Sequence, residues 1–284
     1  MTETQKETYT AIQHPGANPI ERGQVVAMVN QKGGQAKTTT TCEVAIILAG
    51  QGVRVRTIDG DGQDGSLTAL LKPQWEHVDP RERYELADVL AGTVNLDQAT
   101  WPTQVPGVDI VPSSEAVKGF GRGPAEMGLE WRLHEAIAAS QNPYDLTLED
   151  CPPDLGLVTL ALLVAADRLT IPLKPGGLDY KGFQQLNRTL TQVRGERLRP
   201  DQLTSAVLVT QRETNAMTDA IITQVVADYP EALVGSVRKT VRVGEASLGD
   251  DPVPVSHYAP QCTAMDDYRE ITGVLFAPVL ERAA

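Results

Sequence analysis

A chain of 284 residues with 41% hydrophobic content is long enough to bury a sizeable core, so we expect a folded globular protein. It contains no uninterrupted apolar run of about 18 residues, and its polar first 23 residues lack the apolar segment of a signal peptide, which predicts a cytosolic protein. The net charge of −12 excludes a protein whose whole surface binds nucleic acid, because phosphate binding draws on clustered Lys and Arg.

Predicted strands and helices alternate along the chain after a flexible polar leader, residues 1–23. A short apolar run predicts a buried strand at residues 25–29, and a helix at residues 38–51 is stopped by Gly50 and Gly52. The further strands are expected at residues 53–58, 108–111, 146–148, 169–173 and 206–209, and the further helices at residues 130–139, 157–166, 180–193, 217–228 and 265–280. The alternation predicts an α/β fold, a mainly parallel twisted sheet with helices on both faces, in a single domain over residues 24–284.

The cysteines and histidines indicate neither a disulfide framework nor a transition-metal site. Cys42, Cys151 and Cys262 are odd in number and far apart in sequence. The histidines show no ligand spacing either, and a structural zinc site needs several ligands grouped closely. We therefore predict no transition metal.

A glycine-containing loop joins the first predicted strand to the first predicted helix, and its sequence is Asn30-Gln31-Lys32-Gly33-Gly34-Gln35-Ala36-Lys37-Thr38-Thr39. Glycines let the backbone curl so that several N–H groups and the helix N-terminus face an anion. Lys37 then neutralises the β and γ phosphates, and Thr38 offers a hydroxyl to Mg²⁺. The loop predicts a P-loop NTPase site for ATP and Mg²⁺, with the nucleotide bound by Gly33, Gly34, Gln35, Ala36, Lys37, Thr38 and Thr39.

Ala36 stands where the general P-loop pattern has a glycine before the lysine. If the loop needs a left-handed backbone there, alanine costs about 1–2 kcal/mol relative to glycine. Binding of a multiply charged phosphate offsets a penalty of that size. The substitution leaves two readings open: slow ATP hydrolysis, or nucleotide binding without turnover.

Lys32 is a second lysine in the loop, five residues before Lys37. With it the sequence resembles the deviant Walker A group of P-loop ATPases, the ParA- and MinD-like family, whose pattern is Lys-Gly-Gly-x-x-Lys-Thr-Thr. In that family the earlier lysine reaches across a dimer to the nucleotide of the partner. The resemblance therefore implies that Lys32 acts in trans, and that nucleotide binding is coupled to formation of a homodimer.

A second motif follows the next predicted strand and contains Asp59, Asp61 and Gly62. It resembles the family pattern Asp-x-Asp-Pro-Gln, in which the second carboxylate orients the attacking water. By resemblance, Asp61 has that catalytic role beside Lys32 and Lys37, and Asp59 supports the Mg²⁺ shell. Gly62 replaces the usual proline, and Asp64 looks like an extra residue before the next glycine, so we expect a more flexible switch loop.

The third motif, residues 144–156, resembles the Walker B strand of the family, which ends Asp-x-Pro-Pro-x-Leu-Gly. Asp150 stands at the strand end, where a carboxylate holds a Mg²⁺-bound water. The metal site is therefore predicted at Thr38, Asp59 and Asp150. Glu149 is expected on the opposite side of the strand, and its polarity, with that of Thr147, has no explanation from sequence.

The basic charge of the chain is concentrated in residues 174–242, which hold 10 Lys and Arg against 7 Asp and Glu. Within that stretch, residues 237–246 resemble the segment after the last strands of partition ATPases, which bind DNA nonspecifically when dimeric. Arg238, Lys239 and Arg242 are the predicted phosphate contacts, alternating with apolar residues. A solvated charged edge is the alternative reading of these residues.

By resemblance over residues 24–280, we expect a cytoplasmic, nucleoid-associated plasmid or chromosome partition ATPase. It would form a homodimer on binding ATP, bind DNA nonspecifically, and hydrolyse ATP slowly until stimulated by a centromere-binding ParB-type adaptor. A non-hydrolysing scaffold is one alternative. A MinD-like positioning ATPase is another, although the acidic last helix, residues 265–280, is a poor match to anionic lipid.

Overall fold

The computed structural model of the protein describes residues 11–12, 18–63, 67–120, 127–195, 198–249 and 251–281. Within these ranges the strands are β1 (Ala11–Ile12), β2 (Val25–Met28), β3 (Val55–Asp59), β4 (Trp101–Pro102), β5 (Val108–Val111), β6 (Leu146–Asp150), β7 (Arg168–Leu173), β8 (Leu203–Arg212) and β9 (Leu233–Arg238). The helices are α1 (Lys37–Ala49), α2 (Leu67–Leu71), α3 (Leu86–Ala91), α4 (Arg132–Ala139), α5 (Leu157–Ala165), α6 (Gly177–Gly195), α7 (Ala216–Asp228), α8 (Val241–Ala246), α9 (Val255–Tyr258), α10 (Thr263–Leu275) and α11 (Ala277–Leu280).

One sheet contains all the strands of the described chain, in the order β1-β9-β8-β7-β2-β6-β3-β5-β4. Every neighbouring pair is parallel except the two outermost, in which β1 runs antiparallel to β9 and β4 antiparallel to β5. The central strands β2, β3 and β6 are buried along their whole length, as expected for parallel strands covered on both faces. The predicted α/β fold with a mainly parallel sheet is confirmed.

Helices cover both faces of the sheet, and successive strand residues, which point to opposite sides, belong to two different cores. Val26 of β2 belongs to the core that the sheet forms with α1, α2 and α8 to α11, whereas Ala27 belongs to the core formed with α3 to α7. The layer containing α1 is further joined by polar contacts. Glu43 of α1, only 1% exposed, accepts hydrogen bonds from the backbone N–H groups of Val255 (2.6 Å) and Ser256 (3.2 Å) at the start of α9.

Strand β9 was not predicted, because Gly235 and Ser236 interrupt its apolar run. The glycine has a packing reason, since a Cβ there would lie 3.1 Å from side-chain atoms of Ile271 and Leu208. Strands β1 and β4 were also missed, and each is only two residues long. Ala11–Ile12 belongs to the predicted leader, most of which lies outside the described residues.

The predicted single helix over residues 265–280 is wrong in one respect, since the structure divides it into α10 and α11 at Phe276. Pro278 lies in the first turn of α11. A proline ring has no N–H and clashes with the carbonyl of the preceding turn, so a continuous helix through this position is disfavoured.

The parallel arrangement brings the carboxyl ends of β2, β3, β6, β7 and β8 to one edge of the sheet. Met28 and Asp59 both pair with Asp150 across adjacent strands. The segments that follow these strands therefore lie side by side, as is usual for ligand sites in α/β proteins.

Candidate functional site

The loop between β2 and α1 ends in a left-handed turn. Ala36, the N-cap of α1, has φ 64° and ψ 31°, and Gly34 has φ 72°. The Ala36 side chain has no oxygen to accept from the first N–H groups of α1, and the first turn of the helix contains no acidic residue. The free N–H groups and the helix dipole therefore make this end of α1 suitable for an anion.

The sequence predicts that alanine at position 36 is costly if its backbone is left-handed, and the structure has that conformation. A β-carbon in this region crowds the following carbonyl oxygen and costs about 1–2 kcal/mol. The protein therefore carries backbone strain at the residue that directly precedes Lys37.

Lys37 points into the curve of the loop. Lys37 is only 7% exposed, and its Nζ donates to the Lys32 carbonyl oxygen at 3.4 Å. Its positive charge also acts on Asp61 and Asp150, where it favours the ionised carboxylates. The structure thus brings the predicted phosphate-binding lysine together with the carboxylates of the second and third motifs.

Asp150, at the end of β6, is fully buried. Neither of its carboxylate oxygens makes a hydrogen bond of standard geometry among the described residues, although the Thr38 hydroxyl is close enough to favour the ionised form. Burial, followed by the negative charge of Asp59, raises the pKa of Asp150 to about 8. A divalent cation would give the Asp150 oxygens a bonding partner and a compensating positive charge, so Thr38 and Asp150 fit as ligands of a Mg²⁺ site.

Asp59 has more hydrogen bonds than the sequence indicated. One oxygen accepts from the Asp61 N–H at 3.0 Å, and the other accepts from the N–H and the hydroxyl of Thr68 at 2.8 and 2.6 Å. Thr68 is in the first turn of α2. Asp59 therefore ties both the residue two positions after it and the start of α2 to the end of β3. This anchoring role was missed, and its metal-supporting role remains a prediction.

Asp61 lies just beyond β3, beside a cleft of about 330 Å³ that also contacts Lys118, Asp154 and Leu157. Partial burial raises the pKa of Asp61, and the charge of Lys37 opposes that rise. A carboxylate in this environment is a stronger base than a free aspartate.

Gly62 has a steric explanation that the sequence did not reveal. A Cβ at this position would overlap the carbonyl group of Ser114, so the backbone passes too close for any side chain. At Gly62, therefore, the loop is closely packed against Ser114, and the expected flexibility of the switch loop stays a prediction. The apparent extra residue, Asp64, lies outside the described residues.

A cavity of about 570 Å³ adjoins the start of α1. Ala36 and Thr39 line it on one side, and Thr210, Gln211 and Val237, from the ends of β8 and β9, line it on the other. Sequence reasoning missed Thr210 and Gln211, although both follow a predicted strand directly. Their side chains also bond the loop, since Thr210 donates to the Gln35 carbonyl at 3.2 Å and Gln211 to the Gly34 carbonyl at 3.0 Å.

The arrangement of the loop, Lys37 and the carboxylates agrees with the known proteins to which this chain is similar. A family model described as an AAA domain matches residues 23–203. The chain is 31% identical over 276 residues to the chromosome partitioning protein ParA of Caulobacter vibrioides, covering 94% of this chain and 98% of that protein. The chain belongs to the ParA-type branch of the ParA/MinD superfamily of P-loop ATPases.

Other members of the superfamily match with similar coverage. The sporulation initiation inhibitor protein Soj of Bacillus subtilis is 30% identical over 258 residues, which is 88% of this chain and 96% of Soj. The cobyrinic acid a,c-diamide synthase of Mycobacterium smegmatis, solved with an ATP analog and magnesium, superposes with a TM-score of 0.69 at 30% identity, covering 89% of this chain and 93% of that one. The septum site-determining protein MinD of Pyrococcus horikoshii, complexed with Mg-ADP, has the same TM-score at 20% identity over 88% of this chain and 95% of that one, which supports the fold alone.

Lys32, the second lysine of the loop, forms an ion pair with a residue outside the three sequence motifs. Its Nζ lies 2.6 Å from Asp179 Oδ1, in the first turn of α6. Asp179 directly precedes the helix predicted at residues 180–193, and its contact with the loop was not predicted.

The predicted DNA-binding residues each have an acidic partner. Arg238 forms a bidentate ion pair with Asp267, which is 1% exposed: its Nε donates to Oδ2 at 3.0 Å and its Nη2 to Oδ1 at 2.7 Å. Lys239 and Arg242 pair with Glu213 at 2.5 Å and Glu245 at 2.7 Å on the surface. The structure divides this stretch, because Arg238 ends β9 whereas Arg242 lies in α8. Their contact with DNA stays a prediction.

Besides Asp150, strand β6 contains two polar residues, Glu149 and Thr147. Glu149 is fully buried on the sheet face opposite to Asp150, as predicted, and burial raises its pKa well above the usual range. The polarity of Thr147 is explained by Arg56, which is 3% exposed and donates to the Thr147 hydroxyl at 3.4 Å.

In the part of the chain that the structure describes, no helix is both long and apolar enough to cross a bilayer.

Proposed function

We propose that this protein is an ATP-dependent, dimerising partition ATPase that binds DNA nonspecifically and hydrolyses ATP slowly until a partner stimulates it. The observation that carries the proposal is the convergence of Lys37, Thr38 and the buried, incompletely bonded Asp150 at the uncapped N-terminus of α1. Burying such a carboxylate without a partner is costly, so the arrangement is expected to serve a charged ligand.

The residues have distinct tasks in this proposal. The N–H groups at the start of α1 and the Lys37 ammonium bind and orient the β and γ phosphates. Thr38 and Asp150 would hold Mg²⁺, with Asp59 behind them, and the ion would supply positive charge to the phosphate oxygens. Asp61, a carboxylate of raised pKa, orients the attacking water and accepts its proton.

The cavity beside Ala36 and Thr39 is proposed to hold the base and ribose. Its volume of about 570 Å³ is within the range of small-molecule sites, and it opens next to the first turn of α1, where the phosphates would bind. Thr210 and Gln211 line the cavity and offer polar groups that would fix the orientation of the nucleoside.

The dimer, the DNA and the adaptor follow from the similarity to chromosome partitioning proteins. In the proposed cycle, ATP closes a homodimer in which Lys32 of each subunit acts on the nucleotide of the other. The dimer would bind nucleoid DNA through Lys239, Arg242 and Arg238, and a centromere-bound ParB-type adaptor would trigger hydrolysis and release. Contacts of this kind are few per subunit, so DNA binding should be strengthened by dimerisation and weakened steeply by salt.

The DNA surface is tested best without changing Arg238, because its removal would leave the buried Asp267 carboxylate unpaired and would damage the fold. The double variant Lys239→Ala and Arg242→Ala removes two exposed cations whose partners are also on the surface. It should weaken DNA binding and lower the salt slope by about 2 per subunit while sparing ATP-dependent dimerisation. An unchanged slope would assign these residues to a solvated charged edge.

A nucleotide-dependent scaffold that does not turn ATP over is the second candidate, and the strained backbone of Ala36 is the observation that favours it. Phosphate release with Mg-ATP separates the two, measured with and without nonspecific DNA. Slow turnover that Lys37→Ala abolishes supports the partition ATPase. No turnover in the natural chain, with turnover appearing in Ala36→Gly, would identify the scaffold.

A further inference from the structure

The side chain of Lys32 is held by its own subunit. Its Nζ lies 2.6 Å from Asp179 Oδ1, with the lysine side chain 45% exposed and the aspartate side chain 14% exposed. Asp179 is in the first turn of α6, whose N-terminal dipole favours a carboxylate there. The ion pair therefore directs the Lys32 ammonium toward α6.

Gln35 binds the same carboxylate from inside the loop. Its residue is 2% exposed, and its Nε2 donates to Asp179 Oδ1 at 2.9 Å. Its Oε1 accepts from the Lys174 N–H at 2.7 Å, in the segment after β7. Gln35 thus joins the phosphate loop to both ends of the β7–α6 connection, and with Lys32 and Asp179 it forms a unit that we call the clip.

The position of Asp179 also depends on Gly176. A Cβ on Gly176 would collide with the second carboxylate oxygen of Asp179. Because that oxygen is the end of a short, rotatable side chain, an added methyl group would displace the carboxylate and leave the backbone in place. Gly176→Ala is therefore a second substitution that should open the clip, and it removes no charge.

We propose that Gln35 and Asp179 are positioning residues that hold Lys32 in its own subunit until a nucleotide fills the loop. The inference rests on the proposed function, in which Lys32 acts across a dimer. Asp179 neutralises the positive charge that Lys32 would offer to a phosphate in the partner, so the clip competes with the dimer contact. Gln35 lies in the loop that would bind the phosphates, so nucleotide binding acts directly on the residue that holds Asp179.

The test measures the dimer dissociation constant by sedimentation with Mg²⁺ and a non-hydrolysable ATP analogue. Asp179→Asn removes the carboxylate charge, and Asp219→Asn is the matched control, because Asp219 occupies the first turn of α7. Half-exposed ion pairs are individually weak, but two clips open per dimer. We therefore expect the dissociation constant of Asp179→Asn to fall about 3- to 10-fold, with no change in the control.

A further variant separates the clip from a general structural effect. Gly176→Ala keeps the charge of Asp179 and should also tighten the dimer, by about 2- to 5-fold, since it loosens only part of the clip. Damage to the fold would weaken the dimer, so a gain is the informative sign. If the natural chain dimerises and Asp179→Asn matches the Asp219→Asn control or dimerises less well, the clip is refuted and the proposed function stands. If the natural chain binds the analogue and stays monomeric, the proposed dimer fails and the clip fails with it.

Discussion

Replacing Ala36 by glycine should stabilise the protein in the absence of nucleotide. Ala36 has φ 64°, and a β-carbon in this region costs about 1–2 kcal/mol that glycine avoids. Glycine in turn increases the conformational entropy of the unfolded chain, which costs about 0.4–1 kcal/mol. The difference predicts a gain of about 0.5–1 kcal/mol in the free energy of unfolding for Ala36→Gly.

The assay is urea denaturation of the nucleotide-free protein, followed by tryptophan fluorescence. With a slope near 3 kcal/mol per molar urea, the gain corresponds to a midpoint shift of about 0.2–0.3 M. Ala220→Gly is the matched control. Ala220 is exposed within the right-handed helix α7, so the same substitution there should lower stability by about 1 kcal/mol.

The opposite signs of the two variants make the experiment decisive. A loss of stability in Ala36→Gly as large as that in Ala220→Gly would refute the left-handed conformation at Ala36. A gain in Ala36→Gly that disappears at saturating nucleotide would mean that bound phosphate compensates the strain. That result would link the departure from the general P-loop pattern to the ligand.

The remaining predictions concern steric packing and pH. Gly62→Ala should lower the free energy of unfolding by about 1–3 kcal/mol, because its methyl group would overlap the Ser114 carbonyl. Gly273→Ala, in open space within α10, should raise it by up to about 1 kcal/mol. Thermal unfolding of the two variants and the natural chain measures both effects. Burial raises the pKa of Glu43 above its unfolded value, although hydrogen bonds from Ser256 and Val255 and the charge of Arg269 oppose this. A group with a raised folded pKa destabilises as pH rises, so stability should fall by up to about 1.4 kcal/mol per unit from near pH 4.5 upward until the folded pKa is passed. Glu43→Gln should flatten that slope in urea titrations between pH 5 and pH 8, and a slope equal to that of the natural chain would contradict the assignment.

Much of the fold was accessible from local pattern alone. Short apolar runs bounded by glycine, alternating with helical stretches, correctly predicted β2, β3, β5, β6, β7 and β8 and the parallel sheet, because a strand buried on both faces has to be apolar along its length. Strand β9 was not predicted because Gly235, which interrupts its apolar run, has its reason in close packing against Ile271 and Leu208, a contact between distant parts of the chain.

The chemical groups of the site were also determined by the sequence, since the spacing of Lys32, Lys37 and Thr38 and the strand-end positions of Asp59 and Asp150 follow from connectivity. Their relations to one another were decided by the tertiary structure. The sequence contains no sign that Asp179 holds Lys32, that Asp59 is bonded by Thr68, or that Arg238 is paired with a buried carboxylate. Ion pairs and close backbone contacts depend on distances between segments far apart in the chain, and only the packing of helices onto the sheet fixes those distances.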